Sequence, residues 1–469
     1  MALTSISDRL TPSVPIELTF GAQPIATGRK ISTLFGHRAA SGGSANDYDV
    51  IEVVNVGDPD QAKSEVDLKA GAGSELGQMA YAFVAANALS GGSNFPAFRI
   101  VVLPNSELHF GPASEGILAI KGLRNDMLVS CYPASDTTNR ASLIAVAELM
   151  SGPDRDLQGQ FGSFVTMASL EALSAQVLYA INSRKAIVAC LPDSNTALVT
   201  QAADLTSGSN ILVNLASTVG IYPGAVASGA GIPAGTLVQQ VTKSTVMLSA
   251  SVTASASAES VAFQNQVSQS VPVLAAAHAG RMMASAFPYN PLQGVTIGGL
   301  KPPQKVSDRI DINPQGASEQ ALIAGLSPLY VQAGGHVGFI RTRTTYNLLP
   351  DNVTAATAYF DWQDLAVMND FREDCYSITQ NPPFNNNPGG TKASKQIAGL
   401  LKDEILRQAQ AYEDRGAFQA VKALAPQFQI APSATSRGRF DFKIPVNVLP
   451  GLFVIAGNIQ GVTTFDFTL

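Results

Sequence analysis

Histidines and cysteines are the side chains in this sequence best suited to metal binding or nucleophilic catalysis, and they are few. They are His37, His109, His278, His336, Cys131, Cys190 and Cys375. They form no HxH, HExxH or His–Cys grouping, the spacings that place metal ligands side by side. Isolated histidines are mostly surface or core residues, so the sequence predicts no metal site. A site that folding assembles from distant residues would not show in these spacings.

Two glycine-rich stretches have some features of phosphate-binding loops, and neither fits. GAGSELG (71–77) precedes a helical segment, but the dinucleotide fingerprint requires glycine where Leu76 stands. GGTKAS (389–394) has Thr391 where a phosphate loop has the glycine that precedes its lysine. No G-x-S-x-G elbow occurs either. We therefore predict no cofactor and no enzymatic activity, and interpret Ser74 as a helix N-cap.

The elements that would position these residues read as mixed α/β. Helical patterns over 74–89 and 141–150 alternate with apolar strand-like runs over 98–104 and 126–133. A second such unit has strands at 161–169 and 185–192 around a helical segment at 170–182. This alternation predicts parallel strands joined by crossover helices on one sheet. A further strand is predicted at 336–346, and further helices at 271–287, 361–379 and 394–418. In the last of these helices Ile397, Leu400, Leu401 and Ile405 form an apolar stripe.

Composition divides the chain further. Between Ser207 and Ala258 the only charged residue is Lys243, and Pro–Gly turns separate short β-branched runs, which predicts an all-β insertion. The predicted segments are an extended arm (1–30), an α/β domain (31–194) that is interrupted by the insertion (195–265) and returns at 266–300, a C-terminal core domain (301–436) and C-terminal strands (437–469).

Both ends of the chain alternate apolar and polar residues, as half-buried strands do. The apolar positions are Ile16, Leu18 and Phe20 near the start, and Phe440, Phe442, Ile444, Val446, Phe465, Phe467 and Leu469 near the end. About 20 extended residues reach roughly 60 Å, far enough to leave the subunit. The alternative, that these strands pair within their own subunit, stays open.

Charge content favours a chain that assembles and does not bind nucleic acid. Of the 469 residues 46% are hydrophobic and 14% are charged, with a net charge of −6 and no basic block. An isolated protein usually keeps a well-charged surface, whereas a subunit covered by its own copies needs less charge. Three scattered cysteines favour a reducing compartment. Without a signal peptide or about 20 consecutive apolar residues, we expect a soluble chain made in the cytoplasm, with no membrane insertion.

The sequence resembles the tail sheath proteins of contractile-tailed bacteriophages, most of all the Mu-like group. The likeness lies in SDRLTPSVPIELTFGAQPIATGRKISTLFGHRA (7–39), in DWQDLAVMNDFREDCYSIT (361–379), in KDEILRQAQAYEDRGAF (402–418) and in SRGRFDFKIPVNVLPGLFVIAGNIQ (436–460). It does not extend over 195–265, where sheath proteins carry different outward-facing insertions. Each pattern is moderately specific alone, and together they are highly specific.

The resemblance implies a structural subunit that stacks as six-membered rings around a tail tube. Rings that shorten and widen on a signal from the baseplate would drive the tube through the host envelope and deliver the genome. The implied partners are further copies of the chain, the tail tube protein, and the baseplate and tail terminator proteins. The implied location is the virion tail, assembled in the host cytoplasm.

The resemblance also assigns roles to particular residues. The terminal arms would add strands to a small sheet of neighbouring subunits, through the ten apolar positions named above. The C-terminal domain would face the tube, and the candidate contacts on its long helix are Lys395, Lys402, Asp403, Glu404 and Arg407. A solvated helix face explains these five equally well. Exposed charge pairs contribute only about 0–1 kcal/mol, which suits a contact that must release.

Two other functions remain open on the sequence alone. The Ser-, Thr- and Gly-rich insertion also fits a self-assembling surface or adhesion protein, although no export signal is present. An α/β enzyme that uses scattered residues is the third interpretation, and it requires a deep pocket with converging polar groups.

Overall fold

A nine-stranded sheet runs through the computed structural model of the protein. The structure describes residues 30–88, 95–110, 114–151, 157–165, 183–192, 198–218, 221, 225–242, 244–264, 269–285, 292–300, 321–322, 324–332, 336–346, 361–380, 391–432 and 440–449.

Strands outnumber helices among the described residues, and many of the strands are short. The strands are β1 (Ile31–His37), β2 (Val50–Val53), β3 (Ala97–Leu103), β4 (Met127–Pro133), β5 (Gln158–Val165), β6 (Ala186–Pro192), β7 (Leu198–Leu205), β8 (Ile211–Leu212), β9 (Val226–Ser228), β10 (Val238–Val241), β11 (Val246–Leu248), β12 (Ala256–Gln264), β13 (Thr296–Ile297), β14 (Ser327–Val331), β15 (Val337–Phe339), β16 (Phe418–Gln419), β17 (Gln429–Pro432), β18 (Phe440–Lys443) and β19 (Asn447–Val448). The α-helices of the described residues are α1 (Pro59–Ala70), α2 (Glu75–Ala85), α3 (Glu115–Ile120), α4 (Thr137–Met150), α5 (Val271–Met283), α6 (Trp362–Gln380), α7 (Thr391–Asp414) and α8 (Val421–Leu424).

The large sheet has the order β13-β15-β14-β6-β5-β4-β1-β3-β2. From β14 to β3 neighbouring strands pair in parallel, and β2, β13 and β15 pair antiparallel at the two ends. Every residue of β3 is buried, as expected where helices cover both faces of a parallel sheet. The mixed α/β fold class and the parallel crossovers predicted from the sequence are confirmed.

Helices α4 and α5 cover opposite faces of this sheet. A side chain at Gly159 would meet Leu143 of α4, and one at Gly162 would meet Val271 of α5. Positions three apart on a strand point to opposite faces. Helix α5 also packs against α2, which begins where Ser74 accepts a hydrogen bond from the Gly77 backbone N–H, 3.0 Å away. The predicted Ser74 cap is therefore confirmed.

Successive strands of the large sheet are added on one side of β1 up to β3 and on the other side from β4 onward, so β1 and β4 flank a topological switch point. From β1 the chain passes through β2 to β3, both on one side of β1, and then crosses to β4 on the other side. At such a switch point the loops after the two adjacent strands leave in opposite directions and open a crevice at their carboxyl ends. The residues at the ends of β1 and β4 therefore lie together at one edge of the sheet.

The described residues between 198 and 264 form two three-stranded antiparallel sheets, β7-β12-β9 and β10-β11-β8. Their buried side chains, among them Leu205, Leu212, Val246 and Phe263, form a hydrophobic cluster separate from that of the large sheet. The all-β character predicted for this segment is observed.

The C-terminal residues form a third hydrophobic cluster between α6, α7 and two two-stranded sheets, β17-β18 and β16-β19. Helix α7 ends at Asp414, short of the predicted Phe418, because Gly416 adopts a left-handed conformation with φ +75° and Phe418 enters β16. The strand predicted over 336–346 is short, since only Val337–Phe339 pairs as β15.

Several sequence predictions cannot be compared with the structure. The arm 1–29, the helix at 170–182 and the strands beyond residue 449 lie outside the described residues. Among the helices that are described, none is both long and apolar enough to cross a membrane.

Candidate functional site

Helix α7 presents one buried and one exposed face. Its buried residues Leu401, Ile405, Ala409 and Tyr412 recur every three or four positions, the period of one helix face. They pack in the C-terminal cluster, where the rings of Tyr412 and Phe371 are 5.6 Å apart. This packing fixes the orientation of α7 on α6 and decides which side chains face outward.

Four of the five candidate tube contacts lie on or beside the outward face of α7. Asp403 and Arg407 are exposed, and Lys402 and Glu404 are half-buried. Arg407 donates to both oxygens of Glu404, over 3.1 and 2.5 Å, which lowers the pKa of Glu404 and raises that of Arg407. Lys395 also belongs to α7, but its side chain lies outside the described part of the chain.

Leu400 corrects the stripe expected from the sequence. The spacing placed Leu400 with Leu401 and Ile405 on the apolar face, yet its side chain is 48% exposed. It precedes Asp403, Glu404 and Arg407 by three, four and seven residues, so it shares their face. The exposed face of α7 is therefore a leucine surrounded by charges.

The strand beginning at Phe440 pairs within its own chain. In β18, Phe442 stands opposite Ile430 of β17 in an antiparallel ladder. Phe442 and Ile444 are buried in the C-terminal cluster, and Val446 packs partly buried against it. Within the subunit this segment therefore pairs with β17, and strand addition between subunits stays a prediction.

Each C-terminal sheet has two strands among the described residues. Strand β18 is hydrogen-bonded to β17 there, and β19 to β16. The remaining predicted strand positions, Ile16, Leu18, Phe20, Phe465, Phe467 and Leu469, lie outside the residues that the structure describes.

A buried acid lies beneath α7. The Tyr412 hydroxyl donates to the Asp374 carboxylate of α6 over 3.4 Å. Burial, reinforced by the nearby Asp370, raises the pKa of Asp374 to about 8. The proton on this carboxyl removes a charge that burial would otherwise make costly.

One group of metal-ligand side chains comes together that sequence spacing did not predict. The ligand atoms of His37, Glu75 and Cys131 lie within 4.8 Å of one another. His37 ends β1, Glu75 opens α2 and Cys131 lies in β4, so the strand order unites them and no short motif could have found them.

The chain was compared with protein families, curated proteins and solved structures. No family model and no curated protein matches it. A solved structure of the PVC sheath complex of an extracellular contractile injection system, in its contracted state, matches over 99% of both chains, with a TM-score of 0.50 and 11% identity. This chain has the fold of a contractile sheath protein. The resemblance to sheath proteins inferred from the sequence is thereby confirmed at the level of the fold.

Two further sheath structures are similar. The sheath tail protein of Listeria innocua matches with a TM-score of 0.48 and 9% identity, over 92% of this chain and 93% of that one. The sheath tail protein of Desulfitobacterium hafniense matches with a TM-score of 0.44 and 10% identity, over 92% of this chain and all of that one. These three neighbours are structural sheath proteins.

Proposed function

We propose that the chain is the subunit of a contractile sheath, stacked as hexameric rings around a tail tube and contracting to drive that tube through a host cell envelope. The observation that carries the proposal is the fold shared with a sheath protein over 99% of both chains. The alignment spans nearly the whole of each chain, at 11% identity and a TM-score of 0.50.

The proposed subunit has its body in 31–194 and 266–300, with the β-rich segment 195–265 facing outward and 301–436 facing the tube. Its partners are further copies of itself, the tail tube protein, and the baseplate and tail terminator proteins. It is assembled in the host cytoplasm and becomes part of the tail of a bacteriophage. The proposed subunit acts mechanically, by contraction, and binds no cofactor and no nucleic acid directly.

Neighbouring subunits are linked by strand addition in this proposal. Two-stranded sheets are marginal by themselves, and an unpaired edge can take a strand from another chain. The small sheets β17-β18 and β16-β19 supply such edges among the described residues. In this scheme β18 is an acceptor, and the donors are the arm 1–30 and the residues after 449.

The charged outward face of α7 is the proposed tube contact. Exposed pairs such as Glu404 with Arg407 contribute about 0–1 kcal/mol each, and salt screens them. Many such weak contacts hold a straight sheath on its tube and still release when the rings widen. Leu400 adds a small apolar contact at the centre of the face.

A second candidate is the sheath of a headless injection particle. The observation that favours it is the neighbour from an extracellular contractile injection system. Particles purified from the source cells distinguish the two, because a bacteriophage carries a DNA-filled head and an injection system carries none. Either result leaves the sheath role intact.

The sheath role is tested by electron microscopy of the purified chain, alone and with its tube protein. We expect hollow striated tubes with sixfold end views. The triple variant Ile16→Ser, Leu18→Ser, Phe20→Ser should remain folded and fail to form long tubes. The matched variant Glu17→Ser, Thr19→Ser changes the other face of the same arm and should assemble normally. Small closed oligomers from the unaltered chain with its tube protein would contradict the sheath role.

A further inference from the structure

A group of polar side chains fills the crevice at the switch point of the large sheet. His37 is the last residue of β1, and Cys131 and Tyr132 lie near the end of the adjacent parallel strand β4. Glu75 is the first residue of α2, and Glu107 follows β3. Ligands of open α/β sheets bind at this position, because loops from neighbouring strands diverge there.

Hydrogen bonds fix the orientation of the His37 ring. Its Nε2 lies 2.9 Å from the backbone carbonyl oxygen of Glu107, which also accepts a bond from the Tyr132 hydroxyl over 2.7 Å. A carbonyl oxygen only accepts, so Nε2 carries a proton and donates. The other ring nitrogen, Nδ1, faces the Glu75 carboxylate, with 3.1 Å between Nδ1 and Oε2.

This arrangement requires either a proton or a metal ion between His37 Nδ1 and Glu75 Oε2. In a neutral imidazole protonated at Nε2, both Nδ1 and the Glu75 oxygen are acceptors and repel each other at 3.1 Å. A second ring proton, at Nδ1, satisfies them by donating to Glu75 Oε2. A metal ion satisfies the same two atoms and reaches a third ligand as well.

The surrounding charge also favours a metal ion. The second Glu75 oxygen, Oε1, and both carboxylate oxygens of Glu107 are buried, and the Tyr48 hydroxyl lies within hydrogen-bonding reach of Glu107. Among the described residues, the ion-pair partner of Glu75 is His37. The Sγ atom of Cys131 lies within 4.8 Å of the ligand atoms of Glu75 and His37. A bound cation would compensate these carboxylates and allow the thiol to ionise.

We propose that His37 Nδ1, a Glu75 carboxylate oxygen and Cys131 Sγ bind a divalent transition-metal ion, with Zn²⁺ the expected ion. Imidazole, carboxylate and thiolate are the ligands that Zn²⁺ takes in proteins, and a fourth position is left for water. The Glu107 carbonyl holds the imidazole through Nε2, as outer hydrogen bonds do around metal-bound histidines. The side chains of His37 and Glu75 are 19% and 29% exposed, so the ion can enter from solvent.

Such an ion would link β1, α2 and β4 at the switch point of the large sheet. Ions that bind only the folded chain stabilise it by mass action. The proposal concerns the single subunit and is independent of whether the chain assembles as a sheath.

The test uses the full chain, kept reduced and stripped of metal with a chelator. Zn²⁺ is then titrated against a chromophoric chelator, and Co²⁺ is used to look for a thiolate charge-transfer band. We expect one ion per chain, a thiolate band with Co²⁺, and a melting temperature raised by about 5 °C at saturating Zn²⁺. The metal-free folded chain failing to bind either ion would overturn the proposal.

Matched variants separate the site from other thiols. Cys131→Ala should lose the Co²⁺ band and weaken Zn²⁺ binding about tenfold or more. Cys190→Ala, a buried cysteine in β6, should keep both. Glu75→Gln, at the start of α2, provides a second ligand variant should Cys131→Ala fail to fold, and weaker binding is again expected. Unchanged Zn²⁺ affinity in folded Cys131→Ala or Glu75→Gln would refute the assignment.

Discussion

Arg341 holds Asp361 through three hydrogen bonds, from Nε to Oδ1 at 2.8 Å and to Oδ2 at 3.1 Å, and from Nη2 to Oδ2 at 2.6 Å. The two side chains are 16% and 8% exposed. The pair joins the segment after β15 to the residue that precedes α6, so it connects the large sheet with the helix that leads into the C-terminal cluster. Lys30 with Asp370 and Arg124 with Glu373 make the same connection further along α6.

We expect Arg341→Gln to lower the free energy of unfolding by about 3 kcal/mol, because it leaves the buried Asp361 without its counter-charge. The neighbouring Asp364 makes the loss worse, since its own pKa is already raised to about 6 by burial and by Asp361. Urea unfolding measures the effect. Arg407→Gln, which breaks the exposed pair with Glu404, is the control and should cost under about 1 kcal/mol. Equal losses in both variants would contradict this account.

Gly280 sets the distance between α5 and α2. A Cβ at this position would lie 2.2 Å from the Phe83 carbonyl oxygen, a backbone atom that cannot move aside alone. Gly280→Ala should therefore destabilise the chain by about 2–3 kcal/mol. Gly399→Ala in α7 is the matched change, because nothing lies within 4 Å of its Cβ, and it should stabilise by up to about 1 kcal/mol. Thermal unfolding compares the two, and a harmless Gly280→Ala would show that the helices are not in close contact.

Asp374 should make the chain less stable as the pH rises. Its folded-state pKa of about 8 lies above the value of about 4 in the unfolded chain. Between these values the folded chain holds a proton that the unfolded chain has released, so the free energy of unfolding falls with rising pH. Urea unfolding near pH 5 and near pH 8 measures this difference in the free energy of unfolding. The difference should be smaller in Asp374→Asn. Asp403→Asn, at an exposed position, should leave the difference between the two pH values unchanged. An unchanged difference in Asp374→Asn would exclude Asp374 as the cause of the pH dependence.

The charged face of α7 should control binding to the tube under the sheath proposal. Arg407→Glu reverses one exposed charge beside Glu404 and should weaken co-assembly with the tube protein, more so at low salt, where charges act over longer distances. Lys422→Glu, an exposed residue of α8, makes the same charge change elsewhere and should have no effect. Co-sedimentation with preformed tubes measures both. Equal binding by the two variants would favour the solvated-face interpretation of α7.

The sequence was informative where local periodicity decides structure. The apolar runs now seen as β3, β4 and β6 are buried strands with few alternatives, and Ser74 caps α2 through a contact three residues away. The sequence was less informative where the structure of a segment depends on which other element packs or pairs with it. Leu400 fits an apolar stripe by spacing, yet the packing of α7 on α6 leaves it in solvent. Strand β18 has the alternation of an exchanged strand, yet it pairs with β17 of its own chain.

By itself the sequence determined the α/β class, the β-rich segment and the likeness to sheath proteins, because these follow from patterns repeated over many neighbouring residues. Only the tertiary structure brought His37, Glu75 and Cys131 within 4.8 Å of one another. That proximity depends on β1 lying between β4 and β3 in the sheet. The order of strands in a sheet is set by the packing of whole elements, and no spacing along the chain encodes it.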